Sequence, residues 1–315
     1  MKKEDQPLVS VVIPTFNRKQ MLLKCVNSVL NSYYKNIEVI VADDASQDGT
    51  KSAIRKYNKI EKFKYIQNKE EKMLSYTINK ALRKIKGKLI FILDDDNVID
   101  KMCISEMVNS FNKSTQIGIV GPLALYYSKK DRIMHAGTKR SIFMRRAIYP
   151  HINEVWRGQI KEGEKVEDFA NAFMFRYDLL KKVGMWDLLI PFMGEDGDFE
   201  ARVKKAHYNI IINPKAVTYH DIPFDSNNKY FMRINDMRMY HVLHSKILHE
   251  ARYDNLIGKI TFFISLPVYI GFYFYKIFKS DNMISKKLHL MRLVILGAFK
   301  GIIDSITGKN FIEKL

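Results

Sequence analysis

The sequence predicts an α/β fold: a mostly parallel sheet flanked by helices, with a helical tail after it. Three observations predict it. Apolar, β-branched runs alternate with segments of helical spacing over the first hundred residues, the order that βαβ units require. Three of those runs end abruptly in polar residues, at 15–18, 43–44 and 94–96. Residues 260–275, "ITFFISLPVYIGFYFY", carry no charge, while Lys259, Lys276 and Lys279 flank them.

The elements follow in order. "VSVVIP" (9–14) reads as a buried strand closed by Pro14. Asn17 is placed to cap a helix in which Met21, Leu22, Cys25, Val26, Val29 and Leu30 share one face. "IEVIVAD" (37–43) is a second buried strand; "SQDGT" then breaks the chain before a short helix with Ile54 and Tyr57. "KYIQ" (64–67) is a third strand. Leu74, Ile78, Ala81, Leu82 and Ile85 mark a helix ended by Gly87. A strand then runs into "LDDDN". Later, 171–187 reads as a strand turning into a helix and 194–209 as a loop and helix. "IIIN" and "AVTYHD" read as two short strands divided by Pro214. In parallel sheets ligands bind outside the carboxyl ends of the strands, so the three polar ends predict one functional rim.

The 315 residues hold 52 Lys and Arg against 34 Asp and Glu. That excess suits a polyanionic partner: an anionic membrane face, a phosphate-bearing substrate or nucleic acid. No zinc-finger spacing, RNP motif or recognition helix is present, which argues against nucleic acid. Cys25 and Cys103 are far apart and lack metal-ligand spacing, so both are expected in the core. The N-terminal "MKKEDQPLVSVVIP" holds no apolar stretch of signal-peptide length, and a cytosolic context is expected. From 228 onward fourteen Lys and Arg face six Asp and Glu. A spanning helix needs about 20 apolar residues. The uncharged stretch stops at Lys259 and holds Pro267, so a helix or hairpin lying in the interface of an anionic membrane fits better. A spanning helix, and packing of that face on the domain or on a second copy of the chain, are the other expectations.

Three adjacent carboxylates, Asp94, Asp95 and Asp96, repel one another unless a cation sits among them. The expected cation is a bound metal ion, not a group of the protein. Asp94-x-Asp96 offers hard oxygen ligands of the kind Mg2+ and Mn2+ take. Alone such a row is commonly a solvated turn. Asp43–Asp44, the "GED" of 194–196 and the "TYHD" of 218–221 make it part of a set.

At these residues the chain resembles family 2 glycosyltransferases of the GT-A fold. "VSVVIPTFNR", "VADDASQDGT", "KGKLIFILDDDN" and "VGMWDLLIPFMGEDGDFEARVKKAHYNI" resemble that family's successive blocks, over residues 8 to about 222. The late block is similar to the rhamnosyl- and galactofuranosyltransferase-like branch. The resemblance implies that Pro14, Thr15 and Phe16 line the base and ribose pocket, that Asp44 accepts from the nucleobase, and that Asp95 lies near the ribose. It implies Asp94 and Asp96 as metal ligands with His220 completing the site, and Asp196 as the catalytic base, its proton affinity raised by Glu195 and Asp198. One departure stands out. Ile78 occupies the position of an arginine in the "ARN"-like segment of many relatives, although Asn79 is kept; Lys69 or Lys72 are candidate substitutes for its phosphate or base contact.

The resulting expectation is an inverting, Mn2+- or Mg2+-dependent glycosyltransferase at the cytoplasmic face of the cell membrane. It would move a sugar from a nucleotide-sugar donor to a lipid-linked or cell-surface glycan acceptor. Residues 1–227 would form the catalytic domain and 228–315 the membrane-association region. A sugar nucleotidyltransferase would place a glycine-rich basic loop where this chain reads "PTFNRKQ". A non-catalytic, membrane-bound binding relative has no reason to keep Asp94, Asp96, Asp196 and His220 together. The sugar pocket is expected in loops of 126–170, and Trp156 and Trp186 in the core.

Overall fold

The computed structural model describes residues 6–141, 147–224 and 234–314. Strand β1 (Val9–Thr15) leads to helix α1 (Lys19–Leu30), β2 (Ile37–Asp43), α2 (Thr50–Ile54), β3 (Phe63–Gln67), α3 (Leu74–Leu82) and β4 (Leu89–Leu93). The four strands are parallel, in the order β3-β2-β1-β4. β1 and β4 are buried along their whole length. Strands covered on both faces read as unbroken apolar runs, which is why the sequence announces them. Thr15 stands beside Asp43, and Val12 beside Ile92. The strand ends, with the polar residues that follow them, therefore share one rim.

Two local expectations are corrected. Asn17 does not cap α1: it sits in the left-handed region at φ 52°, and its side chain accepts from the Gln47 N–H at 2.7 Å. The free Lys19 N–H of the first turn donates instead to Asp48 of the neighbouring loop, at 2.7 Å. Helix α3 stops at Leu82, short of Ile85. The chain must turn there to enter β4, and it passes β1 so closely that a Cβ on Gly87 would lie 2.5 Å from the Ser10 hydroxyl.

The second half adds β5 (Asn97–Ile99), α4 (Cys103–Phe111), β6 (Ile117–Tyr126), β7 (Ile133–His135), β8 (Lys139–Arg140), β9 (Ala147–Ile148), β10 (Ala172–Arg176), α5 (Asp178–Val183), α6 (Glu195–Lys205) and β11 (Asn209–His220). β10 enters antiparallel between β4 and β6, β11 runs parallel to β6, and β5 closes the edge antiparallel to β11. The sheet is thus mixed beyond β4. The two short strands expected around Pro214 are one strand, with the register slipping between Asn213 and Val217. Proline has no N–H to give the ladder, so the strand bulges past it and resumes. That continuation delivers the site: β11 ends with His220 beside Asn97. Residues 142–146 of the expected sugar-pocket loops, and the expected boundary at 227/228, lie outside the described residues.

Alternation along the strands divides the core. Val11 and Ile13 cluster with Leu22, Val26 and Met107, while Val12 and Ile40 cluster with Ile78, Phe173 and Trp186. Cys25 and Cys103 are buried free thiols.

The tail forms α7 (Asp236–Tyr253), α8 (Leu256–Phe278) and α9 (Ile284–Ile306). α9 seats backbone to backbone on α7, where a Cβ on Gly297 would fall 1.9 Å from the Tyr240 carbonyl oxygen. α8 is uninterrupted: it runs through Lys259 and Pro267 and is capped by Asn255, which accepts from the Gly258 N–H at 2.8 Å. By length and composition it could cross a membrane. Phe262, Leu266 and Tyr269 are buried in a cluster with Leu243 and Val294. Ile264 and Val268 are 74% and 59% exposed.

Candidate active site

The rim opens on Arg18. Its Nη1 donates to Asp95 Oδ1 at 3.1 Å and to Asp96 Oδ2 at 2.9 Å. The expectation that only a bound ion supplies the positive charge among the three aspartates is therefore corrected. The protein itself supplies a guanidinium, since three crowded carboxylates need a counter-charge while they are being buried. Arg18 lies inside the quoted "VSVVIPTFNR" block, but one basic residue after a strand has no spacing to mark it.

Each aspartate has its own environment. Asp95 is buried and accepts from the Thr15 hydroxyl at 2.6 Å; burial pushes it up to about 6 against the pull of Arg18 and Thr15. Asp96 Oδ1 meets His220 Nε2 at 3.1 Å. Burial alone would raise Asp96, but the hydrogen bond and charge of His220, with the charge of Arg18, hold it below its ordinary value. Asp94 is pushed well above its ordinary value, first by burial and then by Asp96, Asp196 and Asp95.

Asp196 sits in the first turn of α6 and accepts from the Trp186 indole N–H at 3.0 Å. Burial pushes it up to about 6, Trp186 holds it down, and Asp168 adds to the rise. Glu195 is pushed up to about 8, by burial and then by Asp196, and its buried Oε2 has no partner. Asp198 is not the neighbour the sequence suggested. It faces away and is held by Arg202 at 3.0 Å, Arg252 at 3.1 Å and the Tyr253 hydroxyl at 2.7 Å.

The remaining candidates are placed as follows. Asp44 accepts from Asn68 at 2.7 Å and from the N–H groups of Lys72 and Met73 at 2.8 Å. A carboxylate takes about four hydrogen bonds, so about one direction remains open. Pro14 and Thr15 are buried, and Phe16 is exposed. Ile78 is a core residue, and Lys72 pairs with Glu70.

Trp186 is fully buried, as expected, and stacks on Phe199 at 4.4 Å. Its backbone is held from both sides. Asn79 accepts from the Trp186 N–H at 3.0 Å and donates to its carbonyl at 2.8 Å. On the other side the Met185 N–H donates to the Glu313 carbonyl at 2.8 Å, and the Phe311 N–H to Asp187 at 2.8 Å. Arg252 of α7 ties Asp187 to this clip at 2.8 Å. The tail is thus built into the floor under Asp196.

Among the described residues no three His, Cys, Asp or Glu side chains form a ready-made metal cage. Asp96 and His220 do converge, Asp94 stands within reach of the charge of Asp96, and the buried Nδ1 of His220 has no partner. This oxygen and nitrogen set fits a Mg2+ or Mn2+ ion, which draws its other ligands from water and substrate phosphates.

Comparison with known proteins gives the family and the fold. The model of "Glycosyl transferase family 2" matches residues 10–184. The GalNAc(5)-diNAcBac-PP-undecaprenol beta-1,3-glucosyltransferase of Campylobacter jejuni is 34% identical over 109 residues, 34% of this chain and 35% of that protein. The poly-beta-1,6-N-acetyl-D-glucosamine synthase of Staphylococcus epidermidis is 24% identical over 230 residues, 71% of this chain and 52% of that one. The matches thus span about a third to a half of these relatives' length. The mannosyltransferase PcManGT of Pyrobaculum calidifontis, solved with GDP-Man and Mn2+, superposes with a TM-score of 0.56 at 15% identity, over 96% of this chain and 88% of that one. That likeness carries the fold, the helix-flanked mixed sheet of the GT-A type.

Proposed function

The chain belongs to glycosyl transferase family 2, and from that premise we propose an inverting, metal-dependent glycosyltransferase. It moves a sugar from a nucleotide-sugar donor to a lipid-linked or cell-surface glycan acceptor. The observation that carries this reading is the pairing of Asp96 with His220 on one side of the rim and of Asp196 with Trp186 on the other.

Asp96, His220 and Asp94 would hold the ion, which when bound neutralises the negative charge growing on the leaving diphosphate. Thr15 fixes Asp95 in the orientation that faces the ribose. Asp44 turns its open direction to the base. Asp196 takes the proton of the acceptor hydroxyl. A carboxylate poised near pH 6 is ionised at neutral pH yet basic enough to share a proton in the transition state. One displacement from the face opposite the leaving group inverts the anomeric carbon.

The relative from Campylobacter jejuni acts on an undecaprenol-linked glycan by its printed name, which supports a lipid-linked acceptor here. Residues 1–227 form the catalytic domain in this reading and 228–315 the membrane-association region. The exposed face of α8, flanked by Lys259, Lys276 and Lys279, lies in the interface of an anionic membrane at its cytoplasmic side.

The test is sugar transfer from UDP-, GDP- and dTDP-sugars with Mn2+. Wild type should transfer one of them, and Asp96→Ala and Asp196→Asn should each lose at least a hundredfold in kcat/KM. Undiminished transfer by both variants overturns the assignment.

A further inference from the structure

Both oxygens of Asp96 are already engaged, Oδ2 by Arg18 Nη1 at 2.9 Å and Oδ1 by His220 Nε2 at 3.1 Å. A divalent ion binding Asp96 must therefore displace or crowd a cation that the protein has put there. Two positive charges cannot share one carboxylate in a site this poorly solvated without strong repulsion. Arg18 is free to leave. Its side chain is 33% exposed, and Asn17 before it is anchored separately, its N–H donating to Ser46 at 2.8 Å and its side chain accepting from Gln47 at 2.7 Å. A guanidinium that leaves two carboxylates needs another anion, and a diphosphate matches its fork geometry.

We propose that Arg18 is an exchangeable counter-cation: it holds Asp95 and Asp96 until a divalent ion takes Asp96, and it then moves onto the diphosphate of the donor. This rests on the reading of Asp96 as a metal ligand. The consequence is linkage. The ion alone binds weakly because it must evict Arg18 into water, and ion with nucleotide binds tightly because the diphosphate receives Arg18.

The experiment is titration of the full chain with Mn2+, read from the paramagnetic resonance signal of free Mn2+, with and without UDP or GDP. In wild type the nucleotide should tighten Mn2+ binding about tenfold or more. Arg18→Gln should bind Mn2+ alone about tenfold tighter than wild type, with most of the tightening by nucleotide gone. Arg18→Lys keeps the charge, so its binding of Mn2+ alone should stay close to wild type, while the tightening by nucleotide should be smaller because an ammonium lacks the fork. If Arg18→Gln leaves binding of Mn2+ alone unchanged or weaker, or if Arg18→Lys behaves as Arg18→Gln, the exchange is overturned. Asp96→Ala separates the two readings. Loss of Mn2+ binding there supports the metal site whatever Arg18 does, whereas undiminished binding removes the metal site and the exchange with it.

Discussion

Trp186 donates its indole N–H to Asp196 across 3.0 Å while the ring lies fully buried against Phe199. The same side chain is a core residue and the orienting partner of the candidate base.

Trp186→Phe keeps the stack and removes that donor. Burial pushes Asp196 up to about 6, and the indole is what holds it down, so its loss moves the carboxyl higher still. The base must be ionised to work. The acidic limb of kcat/KM against pH should therefore shift upward by about one unit, the equivalent of one charge-assisted hydrogen bond. A limb at the wild-type position would contradict the pairing.

The clip formed by residues 311–313 predicts a separable defect. Truncation after Gly308 removes the bonds to Met185, Asp187 and Leu188 but leaves α8 whole. Transfer should fall about tenfold or more through a loosened Trp186, with partition onto vesicles unchanged. Deleting all of 256–315 would strip the clip, α8 and α9 together, so it would not isolate membrane attachment.

Membrane attachment is read better from the exposed face of α8. Ile264 and Val268 are one helical turn apart and largely exposed. Replacing both by Glu should cut binding to anionic vesicles at least tenfold, through lost apolar burial and added repulsion. Transfer to a water-soluble acceptor should persist. Unchanged flotation with the vesicles would place the contact elsewhere.

Much of this was legible because buried parallel strands write themselves as apolar runs: β1, β2 and β4 fall where the runs do. β6 was hidden by Gly121 and Pro122, which argue against a central strand. Gly121 is there because the Phe169 ring occupies the place of its Cβ, 2.2 Å away. His220 was visible as a residue, but its meeting with Asp96 depends on the register of β11 on β5. Arg18 and the 311–313 clip left no local pattern, since one acts alone and the other pairs segments more than a hundred residues apart.

Acid stability should depend on Glu250. Burial favours its neutral form, but the His249 hydrogen bond, Lys246 and Arg140 outweigh it and hold the carboxyl at about 2. A depressed carboxylate stabilises the fold above its unfolded value, and that contribution disappears as pH falls through the folded one. Glu250→Gln should therefore cost on the order of 3 kcal/mol at neutral pH. The difference should narrow below about pH 4.5 and close near pH 2, as followed by denaturant melts.

The clip also sets an order of events during synthesis. Phe311 reaches Asp187 across 124 residues of chain, and α8 and α9 are made in between. At about 5–20 residues per second the ribosome needs on the order of ten seconds to cover that gap. Throughout it, α6 and Asp196 exist while the floor beneath them is unfinished. In the proposed reading, Asp196 gains its full support only after α8 and α9 have both been made.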